Sequence, residues 1–342
     1  MKQIIIAGFL SLGALTSSIF TQAAAAQTQI ESIQDMAGWM QSITTIQIDI
    51  TSLFAADAMA EIFNTLDSGN DESIRLLGQQ FEAERQVVLA RARRQINELS
   101  PPERWDIDRS LFSRQEKAIF VAAKNQYNSL NETYALFETL TDSLSEILNN
   151  PDDLDEEGLL EVYMVQHKAG IRLIELENEQ IDGYLVAIPE SNPNHQFQKI
   201  VKQFNLATIP ELKISLLDNQ LTERHAYAEA FGEELDKIRP LLRRGQRNAQ
   251  SQIKQLEGLN PATLSSADKT MRPIVLKIYE NFEEAIKVET QMLEAMERSY
   301  DLYTSEKSDE EIEPFIDEND LEFFHLSEKR AEYVQYRLSL LQ

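Results

Sequence analysis

Between Phe120 and Leu148 the chain repeats itself every seven residues. Phe120, Tyr127, Tyr134, Thr141 and Leu148 recur at that interval, and Ala123, Leu130, Phe137 and Leu144 fall between them. A 3-4 alternation of this kind is the seam of an α-helix that packs lengthwise on another helix. A helix of that length buries its stripe only beside partners of similar length, so the seam commits the surrounding chain to long antiparallel helices.

The rest of the sequence agrees with it. Met36, Trp39, Met40, Ile43, Ile46, Ile50, Leu53 and Phe54 step by one, three and four, and the strand-like alternation of Ile46, Ile48 and Ile50 is overruled by the longer helical series. Asp67 to Asp71 reads as a turn before a helix from Glu72 to Leu99. Ser100-Pro101-Pro102-Glu103 supplies a stop and a capping box for the next one. Asn149-Asn150-Pro151 ends the seam helix, and Asp153 with Glu156 caps a helix running to Ile188. Pro189 to Asn194 holds two prolines and four polar residues, and divides the chain into a half over 27–190 and a second over 195–342. Beyond it the pattern predicts a short helix over 196–205, a long one over 210–256 bent at Pro240, a helix through Val275, Ile278, Phe282, Ala285, Met292, Met296 and Tyr303 interrupted only at Glu289, an acidic linker over 308–320, and a last helix over 321–341. The sum is an all-α chain of about eight helices in one elongated or two adjacent bundles. Ala92, Gln95, Ile96 and Leu99 recur as Ala249, Gln252, Ile253 and Leu256, a slight sign of internal duplication.

The first 26 residues are expected to be removed. Lys2, an apolar stretch from Ile4 to Phe20, and Ala24-Ala25-Ala26 have the layout of a secretory signal cut after Ala26. The apolar stretch spans about 25 Å as a helix, short of the roughly 30 Å hydrocarbon core of a membrane. No later segment is apolar enough to cross one. The mature chain is therefore expected in the periplasm or outside the cell.

Charge and composition exclude several function classes. With 57 Asp plus Glu against 32 Lys plus Arg, the net charge is -25, a surface that repels nucleic acid. The chain has no cysteine, so disulfides, thiolate metal sites and thiol nucleophiles are excluded. No G-x-S-x-G elbow, phosphate loop or dinucleotide fingerprint is present. The residues point away from an enzyme, and no cofactor is implied.

Three constellations remain. Glu322 and His325 form Glu-x-x-His on a predicted helix, and His225 with Glu229 is an i, i+4 pair; together they are the candidate ligands of a divalent metal, although a di-iron bundle needs two such motifs and two further glutamates. Asp153, Asp155, Glu157, Gly158 and Glu161 follow the order of a calcium loop, but Met164 stands where the closing carboxylate is required. The arginines cluster twice, as Arg85, Arg91, Arg93 and Arg94 on one helix and Arg239, Arg243, Arg244 and Arg247 on another. Of these, Arg91, Arg94, Arg243, Arg244 and Arg247 are candidate anion or ligand contacts, since a guanidinium offers paired donors to carboxylate or phosphate. In so acidic a chain the competing role is to tie neighbouring acidic helices together, and the sequence favours that role. His195 is expected to be solvated in the linker, and His167 to be a structural residue. The functional expectation is an exported, non-enzymatic bundle that binds another envelope protein or a small ligand, with a metal-binding bundle as the alternative.

Overall fold

In a computed structural model of the chain, residues 71–149, 156–187, 190, 193–221, 223–260, 262, 264 and 266–340 are described, with Trp39, Ser42, Ile43, 45–47, Asp49, Ile50, Leu53, Ile62 and Thr65 from the segment before them. Seven long helices account for most of these: α1 (Asp71–Glu98), α2 (Arg114–Asn149), α3 (Glu156–Ala187), α4 (Pro193–Gln220), α5 (Arg224–Gly258), α6 (Ser266–Tyr303) and α7 (Asp309–Ser339). No strand occurs among the described residues, and the fold is an all-α helical bundle. The chain falls into two compact units that divide between His195 and Gln196, within the first turn of α4.

In the unit before His195, α2 is the central rod, packing on both α1 and α3. Its heptad stripe is the reason: Ala123, Leu130, Tyr134, Phe137, Leu144 and Leu148 are all buried. Ile43, Ile46 and Ile50 are helical and buried as well, which settles the competition with a strand for those positions. Trp39 is fully buried and sets its indole edge-on to Trp105 at 4.9 Å, with Tyr127 at 5.8 Å on α2. Small residues bring the rods close. A Cβ at Gly78 on α1 would lie 2.9 Å from the Leu148 carbonyl oxygen of α2, and one at Gly183 on α3 would lie 3.2 Å from the Ala122 Cβ. Gly78→Ala therefore sets about 1 kcal/mol of helix propensity against a backbone clash. We expect a net loss of about 1–3 kcal/mol, read as a lower urea midpoint of tryptophan fluorescence. A stabilised variant would refute the close contact.

Helix starts are made by side chains, not always where the sequence suggested. The capping box before α2 is Ser113 with Glu116: the Glu116 carboxylate accepts from the Ser113 N–H, and the Glu116 N–H donates to Ser113 Oγ at 3.3 Å. Ser100 to Glu103 instead opens a connection of two 3-10 turns, Pro102–Arg104 and Arg109–Leu111, and the Ser100 carbonyl accepts from the Trp105 indole N–H at 3.0 Å.

The unit from Gln196 onward holds α4 to α7. α5 packs on α6 and α6 on α7, while α4 closes the core through Phe204, Ala207 and Ile214. Two expectations are corrected here. Pro210 lies inside α4, which runs unbroken over the expected short helix and gap; α4 ends at Gln220 and α5 starts at Arg224, with neither glycine nor proline between them. Second, the stretch 308–320 is no linker but the start of α7. Ser308 and Glu311 form its capping box, with the Ser308 N–H donating to Glu311 Oε2 at 2.9 Å, and Asp309, Glu310 and Glu311 occupy the first turn, where the exposed helix amides favour anions.

Arginines staple α5 and α6 at both ends. Arg224, the first residue of α5, donates from Nε to the Tyr303 carbonyl at 2.8 Å and from Nη2 to that of Leu302 at 2.7 Å, satisfying the last carbonyls of α6, and reaches the Ser305 carbonyl just past the helix at 3.2 Å. Arg272, near the start of α6, donates to the Leu256 and Glu257 carbonyls at 2.8 and 3.3 Å at the end of α5.

Candidate functional site

The two arginine clusters have different fates. On α1, Arg85 grips Glu82 with two hydrogen bonds of 2.8 and 2.9 Å and reaches Asp142 on α2, while Ser145 donates to the same Glu82 at 2.8 Å. That bonding holds the Glu82 carboxyl down to about 2, chiefly through Arg85. Arg93 lies over the Tyr134 ring at 4.0 Å, and Arg91 approaches Asp49 at 4.0 Å. Arg94 is exposed. This first cluster mainly ties helices together.

The second cluster behaves otherwise. Arg239, Arg243 and Arg247 are four residues apart, so they rise along one face of α5 in steps of about 6 Å, with Arg244 beside them. Their side chains line a cavity of about 520 Å³ together with Pro240 and two acids, Asp236 and Glu297. Pro240 lies inside α5 and has no N–H to donate to the Asp236 carbonyl, yet the helix continues through it. Arg239 is spent on Glu297 of α6, the intramolecular role the sequence favoured for the whole cluster. For the other three that preference is corrected. Arg243, Arg244 and Arg247 are exposed, and no carboxylate among the described residues pairs with any of them. Arg247 Nε donates only to the Arg243 carbonyl, at 3.2 Å. In a chain of net charge -25, three adjacent guanidinium groups with no ion-paired carboxylate among the described residues make a local concentration of positive charge.

The candidate metal ligands are dispersed. Glu322 accepts from Arg298, whose Nε also donates to Asn319 Oδ1 at 3.1 Å. His325 faces Glu328 at 3.3 Å on the same exposed stretch of α7. His225 and Glu229 are exposed on α5. Among the described residues no three His, Asp or Glu side chains gather as a metal ion requires. Asp153 and Asp155 lie outside the described residues, but 156–164 is helix, which a calcium loop cannot be. His195 is buried, not solvated. His167 is 3 % exposed, its ring against Tyr163, and its Nδ1–H donates to the Tyr163 carbonyl at 3.0 Å; burial pulls it down to about 4, so it stays neutral.

One charged cluster escaped the sequence reading. Arg330 of α7 is 3 % exposed and donates from Nη1 to Glu289 of α6 at 2.7 Å and to Glu211 of α4 at 3.1 Å. Two acids on one base leave a surplus negative charge in the core, and burial with the neighbouring Glu289 pushes the Glu211 carboxyl well above the ordinary range. Glu211 is therefore the acid of this cluster that its surroundings drive toward the neutral form. The signal for it was present, since Glu289 is where the apolar period of α6 fails.

The first 26 residues, where a secretory signal is expected from the sequence, lie outside the described residues; among those described, no helix is long and apolar enough to cross a membrane. No family model, curated protein or solved structure matches the chain.

Proposed function

We propose that the protein is an exported, non-enzymatic helical bundle that binds an acidic segment of another envelope protein through the arginine face of α5. One observation carries this reading: Arg243, Arg244 and Arg247 are exposed and ion-paired to no carboxylate among the described residues, in a chain dominated by acids. The spacing supports a peptide as the partner. Acids on one edge of an extended strand recur about every 6.7 Å and those four apart on a helix about every 6 Å, both close to the rise between the arginines. The open, exposed face suits a chain segment better than a small molecule, which is usually engulfed. The leader and the missing catalytic motifs supply the rest of the reading.

A fluorescein-labelled decamer of glutamate is the probe. Its anisotropy should saturate on titration with the mature chain, and R243E/R244E/R247E should bind it about tenfold to a hundredfold more weakly while keeping its helical circular dichroism. Equal affinity for the two proteins would remove the face from the function.

A further inference from the structure

The cavity along α5 carries both signs of charge, and they are segregated. At one end stand Arg243, Arg244 and Arg247, ion-paired to no carboxylate among the described residues; at the other, two acids, Asp236 and Glu297, face the single base Arg239. Asp236 is exposed and pairs with no cation among the described residues. The lysine beside it, Lys237, is engaged by Glu234 at 2.6 Å.

The segregation follows from α6. The arginine staples at both ends fix α5 and α6 as antiparallel, so arginines further up α5 face residues further back on α6. Arg239 meets Glu297. Four and eight residues before Glu297, on the same row of α6, come Leu293, which is buried, and Glu289, which is buried on Arg330. The row thus gives a carboxylate to the first arginine and none to those above it. Asp236 and Arg247 are about 16 Å apart along α5, and the centres of the two charged ends about 11 Å.

We propose that this cavity reads the order of charges in its partner: acids seat on Arg243, Arg244 and Arg247, and a basic residue seats on Asp236 and Glu297. The proposal rests on the acidic-segment reading of the same face and narrows it to a segment whose acid run gives way to lysine or arginine. An acid run that continued past Pro240 would meet two carboxylates, and like charges set against each other discriminate between partners more than matched ones do. In an extended segment, four acids, one spacer and two bases put the centres of their charges about 13 Å apart, a mismatch that a lysine stem takes up.

Two end-capped peptides of one composition test it by displacing the labelled glutamate decamer at low salt. One is Glu-Glu-Glu-Glu-Gly-Lys-Lys, made in both chain directions, and the other is the alternating Glu-Lys-Glu-Gly-Glu-Lys-Glu, so net charge is equal. The better direction of the block peptide should displace the decamer at about fivefold lower concentration than the alternating one. D236N/E297Q, with helical circular dichroism as the check on folding, should lose that advantage. The same variant frees Arg239 and should bind the decamer about threefold or more tightly than the parent. Equal displacement by block and alternating peptides, a block advantage that survives D236N/E297Q, or a decamer affinity unmoved by that variant overturns the proposal and leaves the arginine face standing. A decamer that does not bind the parent removes the face itself, and the charge order with it.

Discussion

Arg330→Met should destabilise the second unit by about 3–5 kcal/mol at neutral pH, the usual consequence of removing one member of a buried ionic cluster. The substitution keeps an unbranched stem in a site that is 3 % exposed, so lost packing is minor. What remains is Glu211 and Glu289 facing each other without a base. Glu211 must then be held neutral, and keeping a carboxyl protonated costs roughly 1.4 kcal/mol for each pH unit above its ordinary value near 4.3. The loss should accordingly shrink as pH falls toward 5. Glu211→Gln should act in the opposite direction. Because the folded state raises the Glu211 carboxyl, stability is fullest below the unfolded value and declines as pH rises toward the folded one. An amide needs no proton, so Glu211→Gln should be neutral near pH 4 and more stable than the parent by about 1–3 kcal/mol at pH 8. Urea midpoints followed by tyrosine near-UV circular dichroism read both variants, since the two tryptophans, Trp39 and Trp105, lie in the other unit. A harmless Arg330→Met would show that the cluster is not the core feature described.

Trp39→Ala should cost the first unit about 3–5 kcal/mol, because the cavity opens beside Trp105 and Tyr127 at the centre of an aromatic cluster. Trp39→Phe should be far milder, within about 1 kcal/mol of the parent, for a specific reason: the indole Nε1–H is buried with no acceptor, so losing it offsets the lost area. Trp105 fluorescence serves as the reporter in both, and in the alanine variant its emission should move to longer wavelength as the ring gains water. A phenylalanine variant as damaged as the alanine one would contradict this account of the site.

The long rods of this fold were legible because their signal is local. The heptads over 120–148 need only one helix to be read, and they place α2 at the centre of its unit. Helix ends were less legible where composition misled. The acids over 308–320 resemble a solvated linker until Ser308 and Glu311 are seen to cap a helix whose dipole welcomes them. Between the end of α4 at Gln220 and the start of α5 at Arg224 the sequence has no glycine or proline to announce a change of helix. The charged core was hidden for another reason: Arg330 meets Glu211 across 119 residues and Glu289 across 41, a pairing no local period encodes. Its only trace was a glutamate where the period of α6 wanted an apolar residue. The arginine face shows the same division between identity and pairing. The sequence names Arg239, Arg243, Arg244 and Arg247, but which of them find acids depends on where Glu297 falls on the next helix.

The proposed recognition of acidic chain by the α5 face rests on Arg243, Arg244 and Arg247, which pair with no carboxylate among the described residues. The dependence of glutamate-decamer affinity on salt tests it most directly, because exposed charge pairs are screened over about 8–10 Å at 0.1–0.15 M. Between about 50 and 300 mM sodium chloride the parent should lose about tenfold in affinity, and R243Q/R244Q/R247Q should show a nearly flat profile. A flat profile for the parent, or the same slope in the variant, would contradict the claim.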